Sequence, residues 1–388
     1  MKVLVIGDII VDRYILGSAA RLSPEAPVPI VEQNSISESL GGAGLVYENL
    51  KSLGVDVDLY DTEQPRSVKT RVFCDGHYLT RIDNDAHANS GEVVDSILSR
   101  SFSEYEYVIL SDYGKGVLED CLPIINHLNS FGCRVIVDPK KPWDNYLGSW
   151  LVKPNNKEYD KFEFENWQSN IVTTNAGESV VARIDNLEYV IPIDPVEVND
   201  VTGAGDCFLA AFVYGLSKGY DYQTCLETAV KGSRESVQHL GTYILKVNDI
   251  EDRIVFTNGV FDVLHKGHFE LLSQAREQGD KLIVGINSDE SVKRLKGSDR
   301  PINNQEVRKS QLEMLPWVDE VRVFEQDTPY EMIKEISPNL IVKGSDYAKN
   351  EVVGNDLAEV YLVPIINGYS STNIINSVKN DQTTGQTA

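Results

Sequence analysis

No run of 18 apolar residues occurs in this chain, so no segment is expected to cross a membrane as a helix. Cysteine is scarce. Cys74, Cys121, Cys133, Cys207 and Cys225 are scattered, odd in number and never spaced as Cys-x-x-Cys. That argues against a disulfide framework or a zinc ribbon and suits a reducing, cytoplasmic compartment. Positive charge is short as well: 36 Lys and Arg stand against 59 Asp and Glu, a formal net charge of −23 over 388 residues. Phosphates would repel such a chain, so neither nucleic acid nor an anionic membrane is expected as a partner. Anions should bind only where backbone N–H groups or a few Lys and Arg overrule the overall field. No internal repeat is present. The N-terminal stretch MKVLVIGDIIVDRY is interrupted by Asp8 and Asp12, and no small-residue cleavage site follows; it reads as a buried strand rather than a signal peptide.

What is there is an ordinary globular composition, 41% hydrophobic and 24% charged, long enough for two or three domains. Short β-branched runs recur at Val3–Ile6, Val108–Leu110, Val135–Val137, Ile171–Thr173, Ile254–Thr257, Leu282–Ile286 and Leu340–Val342, each followed by turn residues and a helical pattern. Strands alternating with helices predict an α/β fold with parallel sheets covered on both faces. Two stretches differ. Ile15–Gln33 carries three prolines, and Arg71–Asp83 reads as a hairpin around Asp75-Gly76; both are expected to leave the main sheet and form a flap. A boundary falls in VNDIED, residues 247–252, where a fresh strand follows a helical pattern that ends at Gly241-Thr242. The expected domains are therefore 1–247 and 253–380, with a polar tail at 381–388.

In the first half the most informative segment is Asn199-Asp200-Val201-Thr202-Gly203-Ala204-Gly205-Asp206. Its glycines permit a tight turn into a helix that begins with the apolar run from Cys207. The N–H groups of Gly203, Ala204 and Gly205 would converge at the positive end of that helix and form an anion hole. Asp206, beside the hole, could take a proton from a hydroxyl while the hole stabilises a transferring phosphoryl group. An ordinary glycine turn with an acid in the first helical turn is the competing reading. This is not a Walker A loop, because no Gly-Lys-Ser/Thr follows. Around it lie Asp8 and Asp12 after the first strand, Gly41-Gly42-Ala43-Gly44 before a helix, Ser111–Gly116, Asp138-Pro139-Lys140, and Lys153–Glu158. In the last of these Asn155 and Glu158, three apart, could hold a hydrated Mg²⁺ near phosphates. Singly each is a plain β–α turn; together, at strand carboxyl ends, they surround one crevice.

With GGAG after a proline-rich flap, PNNKE and DVTGAGD, residues 1–247 resemble the ribokinase-like carbohydrate kinases. The flap ARLSPEAPVPIVE, SDYGKG and VDPK resemble most the kinase half of the bifunctional enzymes that phosphorylate heptose 7-phosphate and adenylylate heptose 1-phosphate in lipopolysaccharide biosynthesis. The resemblance implies a ribokinase-like parallel-sheet sandwich with a β flap. It implies Asp206 as general base and Gly203, Ala204 and Gly205 as anion hole. It places Asp12, Gly41, Gly42, Lys69, Arg71, Asp112 and Lys115 against the sugar phosphate. Asn155, Glu158, Thr173 and Gly177 would then hold Mg-ATP. The sequence departs from the family at Leu45, where an Asn is expected, at Val230 or Lys231 beside the adenine, and in two shortened stretches, between Leu59 and Arg66 and between Tyr159 and Ile171.

In the second half, strand Ile254–Thr257 runs into NGVFDVLHKGH. His265 and His268, three apart, share one face of a helix's first turn. Imidazoles there can bind the phosphates of a nucleoside triphosphate and stabilise charge as pyrophosphate leaves. A metal site competes with this reading but wants a third ligand, for which only Asp262 is near. Lys293, Arg294, Lys296 and Arg300 form a local basic cluster, either a solvated face or a phosphate-binding loop. Hydroxyls at Ser370–Thr372 precede a helical run and could cap it or bind a phosphate. TNGVFDVLHKGH, INSDESVKRLKGSDRP, VKGSDY and SSTNII resemble the HxGH nucleotidyltransferases of the cytidylyltransferase type. That resemblance implies a Rossmann-like domain in which His265 and His268 stabilise the transition state. It has Thr257, Asn258, Gly259, Phe261, Lys296, Arg300, Lys343, Ser371 and Thr372 bind the nucleotide.

The expected activity is thus a pair of ATP- and Mg²⁺-dependent steps on small sugar phosphates, in a homodimer formed through the flap. An alternative keeps the nucleotidyltransferase, possibly acting with CTP on another sugar or polyol phosphate, and makes the first domain a binding or dimerisation module.

Overall fold

In the first strand, β1 (Lys2–Gly7), every residue after Lys2 is buried. Val3 and Val5 join one apolar cluster while Leu4 and Ile6 join another. A strand that is apolar on both faces has to lie inside a sheet covered on both sides. The computed structural model, which describes residues 1–175 and 177–364, shows that sheet. The chain divides into a unit spanning Met1–Glu251 and a second beginning at Asp252.

The strands of the first unit are β1, β2 (Ile9–Leu22), β3 (Pro29–Gly42), β4 (Asp56–Tyr60), β5 (Ser67–Cys74), β6 (His77–Asn84), β7 (Tyr107–Ser111), β8 (Arg134–Asp138), β9 (Leu151–Val152), β10 (Asn170–Asn175), β11 (Ser179–Ile184) and β12 (Leu187–Pro192). Its helices are α1 (Ala43–Ser52), α2 (Ser90–Leu98), α3 (Cys121–Ser130), α4 (Asn156–Lys161), α5 (Ala204–Lys218), α6 (Tyr222–Ser236) and α7 (Val247–Ile250). Eight strands form one sheet in the order β12-β11-β10-β9-β8-β7-β1-β4, parallel from β4 to β10. Residues of α1, α5 and α6 contribute to one cluster and residues of α2 and α3 to the other. Helix α5 is buried from Asp206 to Gly215 without interruption, as expected of a helix that is apolar all round.

The flap is a separate four-stranded sheet, β3-β2-β5-β6. Its β5–β6 turn has Asp75 and Gly76 both at positive φ (51° and 81°), the backbone that an Asp-Gly hairpin supplies. The flap strands are longer than the sequence suggested. Asp12 lies within β2 rather than after the first strand, and β3 ends in Gly41-Gly42. The last long helix, α6, stops at Ser236, short of Gly241-Thr242.

The second unit contains β13 (Ile254–Gly259), α8 (Lys266–Arg276), β14 (Lys281–Asn287), α9 (Asp289–Lys296), α10 (Gln305–Glu313), β15 (Glu320–Phe324), α11 (Tyr330–Ile336), β16 (Leu340–Gly344) and β17 (Glu359–Val363). Its sheet runs β15-β14-β13-β16-β17, parallel throughout. The order reverses between β13 and β16, where open α/β sheets bind ligands at the strand carboxyl ends. Among the described residues no helix is long and apolar enough to cross a membrane.

Asn49, fully buried in α1, donates to the carbonyls of Leu45 and Tyr243 (2.9 and 3.4 Å) and accepts from Leu245 N (2.8 Å). Asn49→Ala should destabilise the first unit by about 1–3 kcal/mol, the cost of buried backbone groups left unpaired. Urea denaturation followed in that unit checks it.

Candidate functional sites

In the first unit, chain order puts the turn after each central strand at one end of the sheet. Gly203 N-caps α5 at φ 78°, and a Cβ there would stand 2.5 Å from Leu45 Cδ2. Leu45 therefore fills the space beneath the loop instead of offering a polar group. Asp200 ties the loop down: its carboxylate accepts from Thr202 N and Oγ1 (2.9 and 2.7 Å) and from Gly241 N (3.1 Å). Ala204 N closes the turn on Val201 O at 3.3 Å, so of the three predicted anion-hole amides Gly203 and Gly205 have no protein acceptor among the described residues.

Asp206 is 2% exposed. Burial and the nearby Asp138 push its carboxyl up to about 8, against a pull downward from the hydroxyl of Tyr113 and the charge of Lys153. Tyr113 Oη donates to Asp206, 2.9 Å from each carboxylate oxygen. Lys153, itself buried, pairs with Asp138 at 3.1 Å, and a Cβ on Gly205 would lie 3.5 Å from its Nζ. Lys69 sits 5.5 Å from the Tyr113 ring centroid. Asp12 is ion-paired with Arg71, both buried, and a Cβ on Gly41 would collide with Asp12 Oδ2. Gly42 at φ 60° lets the chain pass Asp8 O and Tyr113. Asp206, Lys69 and Gly42 are thus brought together around Tyr113, and Arg71 and Gly41 around Asp12.

Other predicted residues are occupied by the scaffold. Asp112 is buried and accepts from Gly114 N and Tyr146 Oη (both 2.8 Å), with Lys141 Nζ at 3.1 Å. Lys115 pairs with Asp85 at 2.6 Å. Asp8 accepts from the amides of Tyr113, Lys115 and Val117 (2.9–3.1 Å), so it shapes the turn after β7. Asn155 and Glu158 form a capping box on α4, each accepting the other's backbone N–H (3.0 and 3.1 Å), and Lys140 holds Glu158 at 2.7 Å. Thr173 lies on β10, which bridges to Asn155 through Thr174. Gly177, at φ 79°, is exposed after β10. Tyr113, Asp138 and Lys153 fell within segments read from the sequence as surrounding the crevice but were given no role of their own. The available signal was their place at or just after the carboxyl ends of β7, β8 and β9.

In the second unit a cleft of about 820 Å³ opens at the switch point, lined by Asn258, Gly259, Phe261, His265, His268, Lys296, Arg300 and Lys343 among others; that volume suits a nucleotide-sized ligand. His265 caps α8, and its ring stacks on His268 at 3.8 Å. Burial pushes both imidazoles down, His268 to about 4 with help from His265. Among the described residues neither Nδ1 has a hydrogen-bond partner, and none of them fixes the tautomer through it. Lys343 donates to Asn258 O at 2.7 Å and is pushed down to about 8 by burial. Arg300 pairs at 2.8 Å with buried Asp262, which also accepts from Ile302 N and Asn303 N. Asp262 is thereby committed, and among the described residues no three His, Cys, Asp or Glu could jointly hold a metal. Of the basic cluster, Lys293 and Arg294 pair with Glu290 and Asp327 on the surface, leaving Lys296 and Arg300 to the cleft. Thr257 is buried, its hydroxyl on Val342 O, and joins β13 to β16. Ser371 and Thr372 lie outside the described residues.

These two sites define a transferase with a carbohydrate-kinase unit and a nucleotidyltransferase unit. The pfkB carbohydrate kinase family model matches residues 46–248 and the cytidylyltransferase-like model residues 256–377. The chain is 34% identical over 466 residues to the bifunctional protein HldE of Aliarcobacter butzleri, with 98% of each chain covered. It is 36% identical over 467 residues to that of Helicobacter hepaticus, covering 97% of this chain and 96% of the relative. The chain belongs to the bifunctional HldE family. Those alignments are longer than this chain, so the relatives carry stretches it lacks. Among solved structures, phosphofructokinase-2 from Escherichia coli superposes with TM-score 0.52 at 16% identity, over 64% of this chain and 96% of that one. Ribokinase from Thermotoga maritima does so with TM-score 0.50 at 15% identity, over 64% and 97%. Both share the fold of the kinase unit.

His268 binds its proton less readily folded than unfolded, so the stability it confers is full above the unfolded value of 6.5 and is lost as pH falls through 6.5 towards about 4. The wild type should lose more stability than His268→Asn across that window, measured as the difference in urea midpoints.

Proposed function

We propose that the first unit transfers the γ-phosphoryl group of ATP to the anomeric hydroxyl of a heptose 7-phosphate, and that the second transfers AMP from ATP to a heptose 1-phosphate with release of pyrophosphate. The observation that carries this reading is the coexistence of a buried base beside free loop amides, Asp206 with Gly203 and Gly205, and a stacked imidazole pair in a separate nucleotide-sized cleft. In the first step the anomeric oxygen bonds to the γ-phosphorus, the bond to ADP breaks, and the hydroxyl proton passes to Asp206. The loop amides and Lys153 stand where negative charge accumulates. In the second, a sugar phosphate oxygen attacks the α-phosphorus directly. His265, His268, Lys343, Arg300 and Lys296 offset the charge on the departing pyrophosphate, and no covalent protein intermediate is needed.

Mg²⁺ would neutralise nucleotide phosphate charge in both units. In the kinase unit Asn155 and Glu158 are hard oxygen donors of the right kind, but the cap and Lys140 already engage them, which favours contact through the ion's water shell. The intact base and loop favour an active kinase over a mere binding module despite the missing stretches. The domains are read as 1–247 and 253–380 and the enzyme as cytoplasmic. A homodimer through the flap is supported by exposed Leu16, Ile36, Tyr78 and Ile82 on its strands, since bare strand surfaces invite pairing.

Asp206→Asn should lower phosphorylation by about 10²–10⁴-fold and spare adenylyl transfer. His268→Ala should lower adenylyl transfer by about 10²–10³-fold and spare phosphorylation. Phosphorus NMR of the full chain with ATP, Mg²⁺ and each sugar phosphate reads both. Light scattering should give a dimer, and Ile36→Asp with Ile82→Asp should give a monomer.

A further inference from the structure

We propose that Tyr113 is a positioning residue for the phosphoryl-transfer step: its hydroxyl holds the Asp206 carboxylate in its reactive orientation and, by donating to it, favours the charged form over the protonated one. The proposal rests on Asp206 acting as the base.

Tyr113 is held on every side. Its backbone N–H donates to buried Asp8 at 2.9 Å. Lys69 Nζ lies 5.5 Å from its ring centroid, within reach of a cation–π contact. Its ring also lies against Gly42, where an added Cβ would stand 3.4 Å from two ring carbons, in van der Waals contact. With ring and backbone fixed, the hydroxyl reaches Asp206 at 2.9 Å from each oxygen. One hydroxyl supplies one proton, while an ionised carboxylate accepts at about four lone-pair sites. Tyr113 therefore leaves acceptor capacity for the substrate hydroxyl and need not move aside.

The surroundings explain why such a donor is needed. Asp206 is buried and faces Asp138 and Asp12 as well as Lys153, with Tyr113 as the neutral donor. Burial and two neighbouring acids favour its protonated form, which could not accept a proton. Lys153 is shared with Asp138. A hydrogen bond given to the charged form opposes this. Burial also holds the phenol well above its ordinary value, so Tyr113 remains a donor throughout the working pH range.

The test is Tyr113→Phe in the full chain, which keeps the ring and removes only the hydroxyl. Sugar KM should change by less than about threefold, kcat should fall about 10–100-fold, and the ionisation governing kcat/KM should move to higher pH by about one unit. Carbon NMR of the Asp206 carboxyl, assigned by its loss in Asp206→Asn, should show the same shift without turnover. An unchanged urea midpoint of the first unit serves as the control for folding. An unchanged kcat and carboxyl titration in Tyr113→Phe would overturn the proposal while leaving Asp206 as base. A raised KM with unaltered pH profile would also overturn it, making Tyr113 a sugar contact. Phosphorylation that survives Asp206→Asn would instead remove the reading on which it stands.

Discussion

A carboxylate that must accept a proton beside a polyphosphate cannot sit in open water, where its basicity is weak, nor in a dry core, where it would never ionise. In the proposed reaction the kinase unit meets this constraint at the start of α5, with Asp206 as the base. Asp206 is withdrawn from solvent by a helix that is apolar on all sides, and the groups that keep it usable come from the ends of neighbouring strands. Tyr113 follows β7, Asp138 ends β8 and Lys153 follows β9. The parallel order of those strands is what makes them converge. Loop, proposed base and its hydrogen-bond partner therefore all depend on that sheet for their positions.

The nucleotidyltransferase unit solves a related problem with the opposite charge. Its two imidazoles are stacked and partly buried at the beginning of α8 and so stay neutral near pH 7. They can meet a polyanion without a standing cost of burying cations. Positive charge comes from Lys343, Arg300 and Lys296, which line the cleft. A chain with a net charge of −23 can handle nucleotides twice because each site carries its own donors and cations, which act at short range where the overall field is screened.

Much of both sites was legible as motif. The Gly203-Ala204-Gly205-Asp206 turn and the His265–His268 pair carry their geometry in their spacing, because a helix N-terminus exposes the same amides whatever lies around it. For residues at strand ends spacing says less about what the side chain meets. Asp112 and Lys115 were expected at the sugar; here Asp112 accepts from Tyr146 and Lys115 pairs with Asp85. Thr257 was expected at the nucleotide; here its hydroxyl donates to Val342 O. Tyr113, in the same turn as Asp112 and Lys115, was given no role of its own. Adjacent residues after a strand point in different directions, and the choice among them is made by neighbours distant in sequence, here Asp8 gripping the turn.

By itself, then, the sequence determined which segments become buried strands, where two nucleotide-handling helix starts lie, and which family the chain resembles, since periodicity, glycine placement and cap spacing are local properties. The tertiary structure alone decided which polar side chains face the crevice and which are used to hold it. That choice rests on burial and hydrogen-bond satisfaction between β1, β7, β8 and α5, elements separated by up to about two hundred residues, and no local pattern encodes it.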